Sequence, residues 1–132
     1  LGEWMTDNVT VVRYNDKLQE TDNKIQELLE RWENINIHDT AKWSNQGASF
    51  TRQLFNMLQL ARVITLGALK RDESRGAHYK PDFPDRNDED FMKTTMADFV
   101  DSKSAPNIYY EDIDVSLIKP RKRDYTKSKG AN

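Results

Sequence analysis

The chain contains no cysteine, which excludes a disulfide framework, a thiolate nucleophile and zinc sites built on sulfur. Histidine occurs only twice. His38 beside Asp39 therefore reads as a surface pair or local cap rather than half of a metal or catalytic set. No apolar run approaches the length of a membrane span, and no signal peptide is visible. Also missing are a Gly-x-Gly-x-x-Gly dinucleotide turn, a glycine-rich phosphate loop and a His-Glu-x-x-His helix. What is present is 132 residues, one domain's worth, with 36% hydrophobic and 32% charged residues. That length can bury a core without metals or disulfides. The opening Leu1-Gly2-Glu3-Trp4, without an initiator methionine, reads as a piece cut from something longer.

The net charge of -2 conceals an asymmetry. Residues 119–129 hold six bases and one acid, while the remainder is acidic. A basic tail can meet nucleic acid, anionic lipid or an acidic protein face, or it can be a solvated terminus. The acidic body argues against nucleic acid as a partner.

Helical periodicity dominates residues 1–71. Leu1 to Asn8 reads as the last turns of a truncated first helix with Trp4 and Met5 pointing inward, and Asn8 or Thr10 can cap the next helix. A second helix is predicted over 13–34, because Leu18, Ile25, Leu28, Leu29, Trp32 and Ile35 share one face. A third is predicted over 46–71, capped by Ser44 or Asn45. Phe50, Leu54, Met57, Ala61, Ile64 and Ala68 form its stripe, and Phe55, Leu58, Leu60, Val63 and Leu66 widen it almost all round. Such a helix is expected to be the central, most buried one. Ala61, Gly67 and Ala68 would let another backbone approach closely.

Beyond Arg71 the period ends, and Pro81 and Pro84 prevent a continuing helix. Asp82 to Asp90 is acid-rich, but it fails the calcium-loop pattern, with Asp90 where glycine is needed and Met96 where glutamate is needed. A helical turn ending near Lys93, strands over 94–100 and 108–112, and a third extended piece over 115–118 are expected. The fold class is thus mainly α: an antiparallel, spectrin-repeat-like three-helix bundle over 1–72, an irregular extension with short β-strands over 73–118, and a basic tail over 119–132.

The most specific stretch is Glu73-Ser74-Arg75-Gly76-Ala77-His78, followed by Pro84-Asp85-Arg86-Asn87-Asp88 and Lys93-Thr94-Thr95. These three elements, in this order after a long helix, resemble the C-terminal domain of the succinate dehydrogenase and fumarate reductase flavoprotein subunit. Arg123-Asp124-Tyr125 looks like that family's closing Arg-x-Tyr. Tyr79-Lys80-Pro81-Asp82-Phe83 looks more like Gram-positive members than like proteobacterial or mitochondrial ones.

The resemblance implies a parent enzyme that interconverts succinate and fumarate on FAD bound covalently to a histidine. Its electrons leave through an iron-sulfur subunit toward a membrane anchor and quinone, at the cytoplasmic face of the bacterial membrane. The family's flavin site and catalytic residues fall in its flavin-binding and capping domains, so no catalytic, cofactor-binding or metal-binding residue is assigned to this chain, and His78 is not the flavin-linked histidine. Glu73, Ser74, Arg75, Gly76, His78, Tyr79 and Arg86 are expected to form a domain or subunit interface. Arg75 is the strongest candidate in its own right, since a guanidinium fork can hold a carboxylate or dock another domain. Some partners of this charged turn are expected to come from outside the chain. Other readings are an L-aspartate oxidase C-terminal domain, which shares a related Arg-Gly-x-His-Tyr element, an autonomous helical interaction module, and a lipid- or nucleic-acid-binding domain using the tail.

Overall fold

The computed structural model describes residues 1–121. The expected basic tail and the Arg123-Asp124-Tyr125 element lie almost wholly outside those residues. The described chain runs α1 (Gly2–Asn8), α2 (Asn15–Trp32), α3 (Gln46–Leu69), α4 (Asp88–Phe91), β1 (Lys93–Asp98) and β2 (Asn107–Asp112). The mainly helical fold class holds. Contacts between α2 and α3 pair Trp32 with Thr51, Asp22 with Arg62, and Leu18 with Ala68. Rising numbers on one helix meet falling numbers on the other, so the two are antiparallel. Helix α1 lies against both. Asn8 Nδ2 donates to Thr21 Oγ1 at 3.0 Å, and Met5 packs into both apolar clusters of the core while Trp4 is half-buried.

Helix α2 buries Leu18, Ile25 and Leu29 as its periodicity predicts, with Leu28 and Trp32 half-buried and Ile35 44% exposed. The caps differ from expectation at one end only. Asn8 closes α1 and Thr10 Oγ1 donates back to Thr6 O, so neither caps α2, whose N-cap is Tyr14 with no side-chain bond. Asn45 does cap α3, its side chain accepting from Ala48 N at 2.8 Å. Asp39 caps locally, accepting from Ala41 N, and His38 is exposed in the same loop.

The stripe expected to bury α3 is not the buried face. Ala61 and Ala68 are inside, but Phe50, Met57 and Ile64 are 60%, 50% and 51% exposed. The inward positions are Thr51, Leu58, Ala61, Arg62, Thr65 and Ala68. Three of these, with Thr21 of α2, are polar groups that satisfy themselves. Thr21, Thr51 and Thr65 each return their hydroxyl to the carbonyl four residues earlier at 2.8 Å. Arg62 donates from Nε to Asp22 Oδ1 at 3.0 Å, with both side chains about 5% exposed. Small or internally paired side chains let the helices approach closely, so the helix-helix seam did not need the largest apolar residues. Helix α3 is the longest member of the bundle but is not enclosed on all sides.

The two strands form an antiparallel hairpin in which Thr95 faces Tyr110 and Asp98 faces Asn107. Residues 115–118 make no third strand. The connection between the strands is shaped by Asp101, whose Oδ1 accepts from the backbone N–H groups of Lys103 and Ser104. That turn aims Ser104 O at Arg62 Nη1, 3.2 Å away. At the other end, β1 passes Gly67, where an added Cβ would sit 3.6 Å from Thr95 Cγ2. Gly67 therefore gives the close approach expected of it, with the hairpin rather than a helix as the neighbour.

Candidate functional site

Helix α3 ends at Leu69 with Lys70 as its C-cap, and the chain then folds back over the helix terminus in a network of alternating charge. Arg71 is its hub. Its guanidinium donates to Glu73 Oε1 at 2.5 Å, to Phe91 O at 2.9 Å and to Lys93 O at 2.7 Å. It also lies between the Phe91 and Tyr110 rings, 5.4 and 5.5 Å from their centroids. The Tyr110 hydroxyl donates to Lys70 O at 3.0 Å. Together these contacts fasten the hairpin to the end of α3.

The Glu73 side chain is fully buried. It accepts from Arg71, from Arg75 through both carboxylate oxygens at 2.8 and 3.0 Å, and from Asn87 N at 2.9 Å. Burial opposes its ionisation, but the hydrogen bonds from Arg75, Asn87 and Arg71 prevail and hold the carboxyl below its ordinary range. Arg75 also reaches Asp88 Oδ1 at 2.7 Å, and Arg86 holds Asp88 Oδ2 at 2.6 Å. The carboxylates that Arg71, Arg75 and Arg86 contact in this structure, Glu73 and Asp88, are on this chain. Partners lying within about fifteen residues cost little loop entropy to bring together.

Arg75 and His78 exchange backbone hydrogen bonds at 2.8 and 3.0 Å around Gly76 and Ala77. Gly76 has φ +60°, a conformation that glycine takes without a Cβ penalty. Ser74 Oγ donates to Phe83 O at 2.8 Å and accepts from Lys80 N at 3.0 Å, closing the loop through the prolines. Tyr79 joins the turn to the α1–α2 connection by backbone bonds to Val11 and Arg13, while 42% of it stays exposed.

His78 Nδ1 lies 2.5 Å from Arg13 Nη1, and Nε2 lies 2.9 Å from Arg71 O. A guanidinium has no acceptor and a carbonyl has no donor, so Nδ1 accepts, Nε2–H donates, and the ring is neutral. Burial lowers the His78 pKa. The bond to Arg71 O opposes this, and the cations of Arg13, Lys80 and Arg71 add to the lowering. The unfolded chain takes up a proton near pH ~6.5 that the native ring resists. Stability is therefore complete above that pH and falls as acidity approaches the lower native pKa. Urea unfolding is expected to show a lower midpoint at about pH 5 than at about pH 7, with a flatter profile for His78→Gln. A wild-type profile as flat as the variant's would overturn this assignment.

The fold brings Glu73, Arg75 and Arg86 into one network with Arg71 and Asp88, and sets Arg13, Asp72 and Lys80 beside it; sequence reasoning did not name these five as site residues. Lys80 is 1% exposed and donates to Leu69 O and Asp72 Oδ1 at 2.9 and 2.8 Å. Burial lowers its pKa against the opposing pull of Asp72. Nothing in the local sequence distinguishes it from a surface lysine. The sign alternation of Arg71, Glu73, Arg75, Arg86 and Asp88 was the available signal for the rest. Among the described residues no group of three or more His, Asp or Glu is placed to hold a metal ion, and no helix is long and apolar enough to cross a membrane.

The family described as fumarate reductase flavoprotein C-term matches residues 1–125. The chain is 71% identical over 131 residues to the succinate dehydrogenase flavoprotein subunit of Bacillus subtilis, covering 99% of this chain and 22% of that protein. It is 33% identical to the fumarate reductase flavoprotein subunit of Haemophilus influenzae, over 95% of this chain and 21% of that protein. The chain thus spans about a fifth of the length of the curated relatives it matches. A solved Escherichia coli quinol fumarate reductase flavoprotein superposes with a TM-score of 0.85 at 31% identity, over 92% of this chain and 21% of that one. With motif order, bundle architecture and relatives in agreement, the chain belongs to the succinate dehydrogenase and fumarate reductase flavoprotein family, in the part corresponding to the C-terminal domain.

Proposed function

We propose that this chain is the helical C-terminal domain of a succinate dehydrogenase flavoprotein subunit and that it stabilises and docks the assembly without carrying chemistry itself. The observation that carries the reading is the 71% identity over nearly the whole chain to a succinate dehydrogenase flavoprotein subunit. The parent would oxidise succinate to fumarate on covalently bound FAD and pass electrons through an iron-sulfur subunit to quinone, peripherally at the cytoplasmic face of the membrane. Its partners would be the flavin-binding and capping domains of the same polypeptide and the iron-sulfur subunit, with the membrane anchor reached indirectly.

The side-chain geometry supports the non-catalytic role. A dicarboxylate substrate is held by cations, and here Arg71, Arg75 and Arg86 are already committed to Glu73 and Asp88. Succinate would have to displace internal carboxylates that also build the fold. Glu73, Ser74, Arg75, Gly76, His78, Tyr79 and Arg86 then serve docking through the exposed edge of the turn at Gly76, Ala77 and Tyr79, which the buried charges keep in shape. The purified 132-residue chain is expected to show no flavin absorbance and no dye-linked succinate oxidation. Stoichiometric flavin on this chain alone would overturn the reading.

A further inference from the structure

Polar contacts with little apolar cover tie the turn around Gly76 to the link between α1 and α2. Tyr79 N donates to Val11 O at 3.1 Å, and Arg13 N donates to Tyr79 O at 2.9 Å. Val11, Val12 and Tyr79 are 53%, 46% and 42% exposed, so burial adds little to this seam. His78 completes it by reaching two segments at once. Its Nδ1 accepts from Arg13 Nη1 on the link, and its Nε2–H donates to Arg71 O beyond the end of α3. The Arg13 guanidinium is itself held against the ring, because Nε and Nη2 both donate to Val9 O.

We infer that His78 is an acid-operated latch: protonation of its ring releases the turn at 75–79 from the α1–α2 link while the α2–α3 seam stays folded. The added proton goes to Nδ1 and turns the acceptor of the Arg13 bond into a donor. Two donors and two positive charges then meet where one hydrogen bond was. The charged groups around the ring do not reverse this. Arg13 faces it from the link, Arg71 from the end of α3 and Lys80 from the turn itself, and all three are cations. Asp72 also acts on the ring, but it is paired with Lys80 at 2.8 Å and is 42% exposed. Glu73 is committed to Arg71 and Arg75. In the released turn, water satisfies the imidazolium, Arg13 Nη1 and Arg71 O. The α2–α3 seam is held by contacts of its own, the Asp22–Arg62 pair and the cluster of Ile25, Leu29 and Leu58, so it has no matching reason to open. The latch works whatever surface the turn docks against.

Amide hydrogen exchange of the 132-residue chain, resolved by residue with NMR and corrected for the intrinsic pH dependence, tests the latch. Exchange at Arg13 and Tyr79 reads the seam, and exchange at Ile25 and Leu58 reads the bundle. Protection at Arg13 and Tyr79 is expected to lie below that of the bundle throughout, the mark of a local opening. Between about pH 7.5 and about pH 5 it is expected to fall by about fivefold to thirtyfold, the upper bound being the full gain for one imidazole that titrates at ~6.5 only when released. His78→Gln keeps a neutral donor and acceptor in place of the ring and is expected to remove the fall. Arg13→Leu takes away the opposing cation and is expected to shrink it. Equal protection at the seam and in the bundle would overturn the latch, since the turn would then open only with the whole domain. Seam protection that does not change with pH would overturn it too, as would a fall of undiminished size in both variants.

Discussion

Arg62→Ala is expected to destabilise the chain by about 3–5 kcal/mol, because it strips one partner from a buried ion pair and leaves the other uncompensated. Asp22 would keep only the donation from Gln26 Nε2 at 2.7 Å, with its side chain 5% exposed. The same change removes the bond to Ser104 O that ties the hairpin connection to α3. The cost thus combines a stranded carboxylate with a loosened loop. Urea unfolding followed by far-UV circular dichroism measures it as a shift in midpoint. The double variant Asp22→Leu with Arg62→Met is expected to recover most of the loss, since a well-packed apolar pair of similar volume commonly replaces a buried ion pair without penalty. A single-variant loss below about 1 kcal/mol, the range of a surface pair, would show that water reaches this site and that the pair is not buried.

Glu73→Gln is expected to cost a similar amount, about 3–5 kcal/mol, by leaving two guanidinium groups around an amide that cannot neutralise them. Arg75 would retain Asp88, and Arg71 would retain the carbonyls of Phe91 and Lys93. Arg71 nevertheless loses the one carboxylate it contacts, and it is the hub that holds the hairpin. The variant should therefore disturb Phe91 and Tyr110 before it disturbs the bundle. Near-ultraviolet circular dichroism, which reports on aromatic packing, is expected to change more than far-ultraviolet ellipticity. The acid limb gives a second reading. The native Glu73 carboxyl ionises below its ordinary range, whereas the unfolded one titrates near pH ~4.3. The native state thus binds fewer protons in that window. The contribution of Glu73 is complete above it and is lost as pH falls through the native pKa. Wild type should lose stability on acidification below about pH 4 more steeply than Glu73→Gln. Parallel acid limbs, or an unchanged midpoint at neutral pH, would show that Glu73 does not hold the network together.

The sequence by itself determined the main helices, the hairpin and the family. Leu18, Ile25 and Leu29 recur at helical spacing and are the core of α2. Asn45 is a capping residue just before an apolar run, and it caps α3. The β-branched and aromatic residues around Thr95 and Tyr110 form the hairpin. Each of these features depends on residues close together in the chain, where local propensity and period carry the information. The order of the Glu-Ser-Arg-Gly-Ala-His, Pro-x-Arg-Asn-Asp and Lys-x-Thr elements needed no structure at all.

Only the tertiary structure decided which face of α3 is inside and which charges meet. Apolar residues surround that helix, so its period does not choose a direction. The choice went to the side carrying Thr51, Arg62 and Thr65, where Asp22 of α2 meets Arg62 and the threonine hydroxyls are satisfied by carbonyls of their own helices. Lys80 is buried because the loop through Pro81 and Pro84 folds it onto the last carbonyls of α3 and Asp72. Glu73 is buried because Arg71 and Arg75 on either side of it and the N–H of Asn87 from the returning chain converge on it. A buried charge is tolerated only where several groups arrive together, and that arrival is a property of three dimensions rather than of any window of sequence.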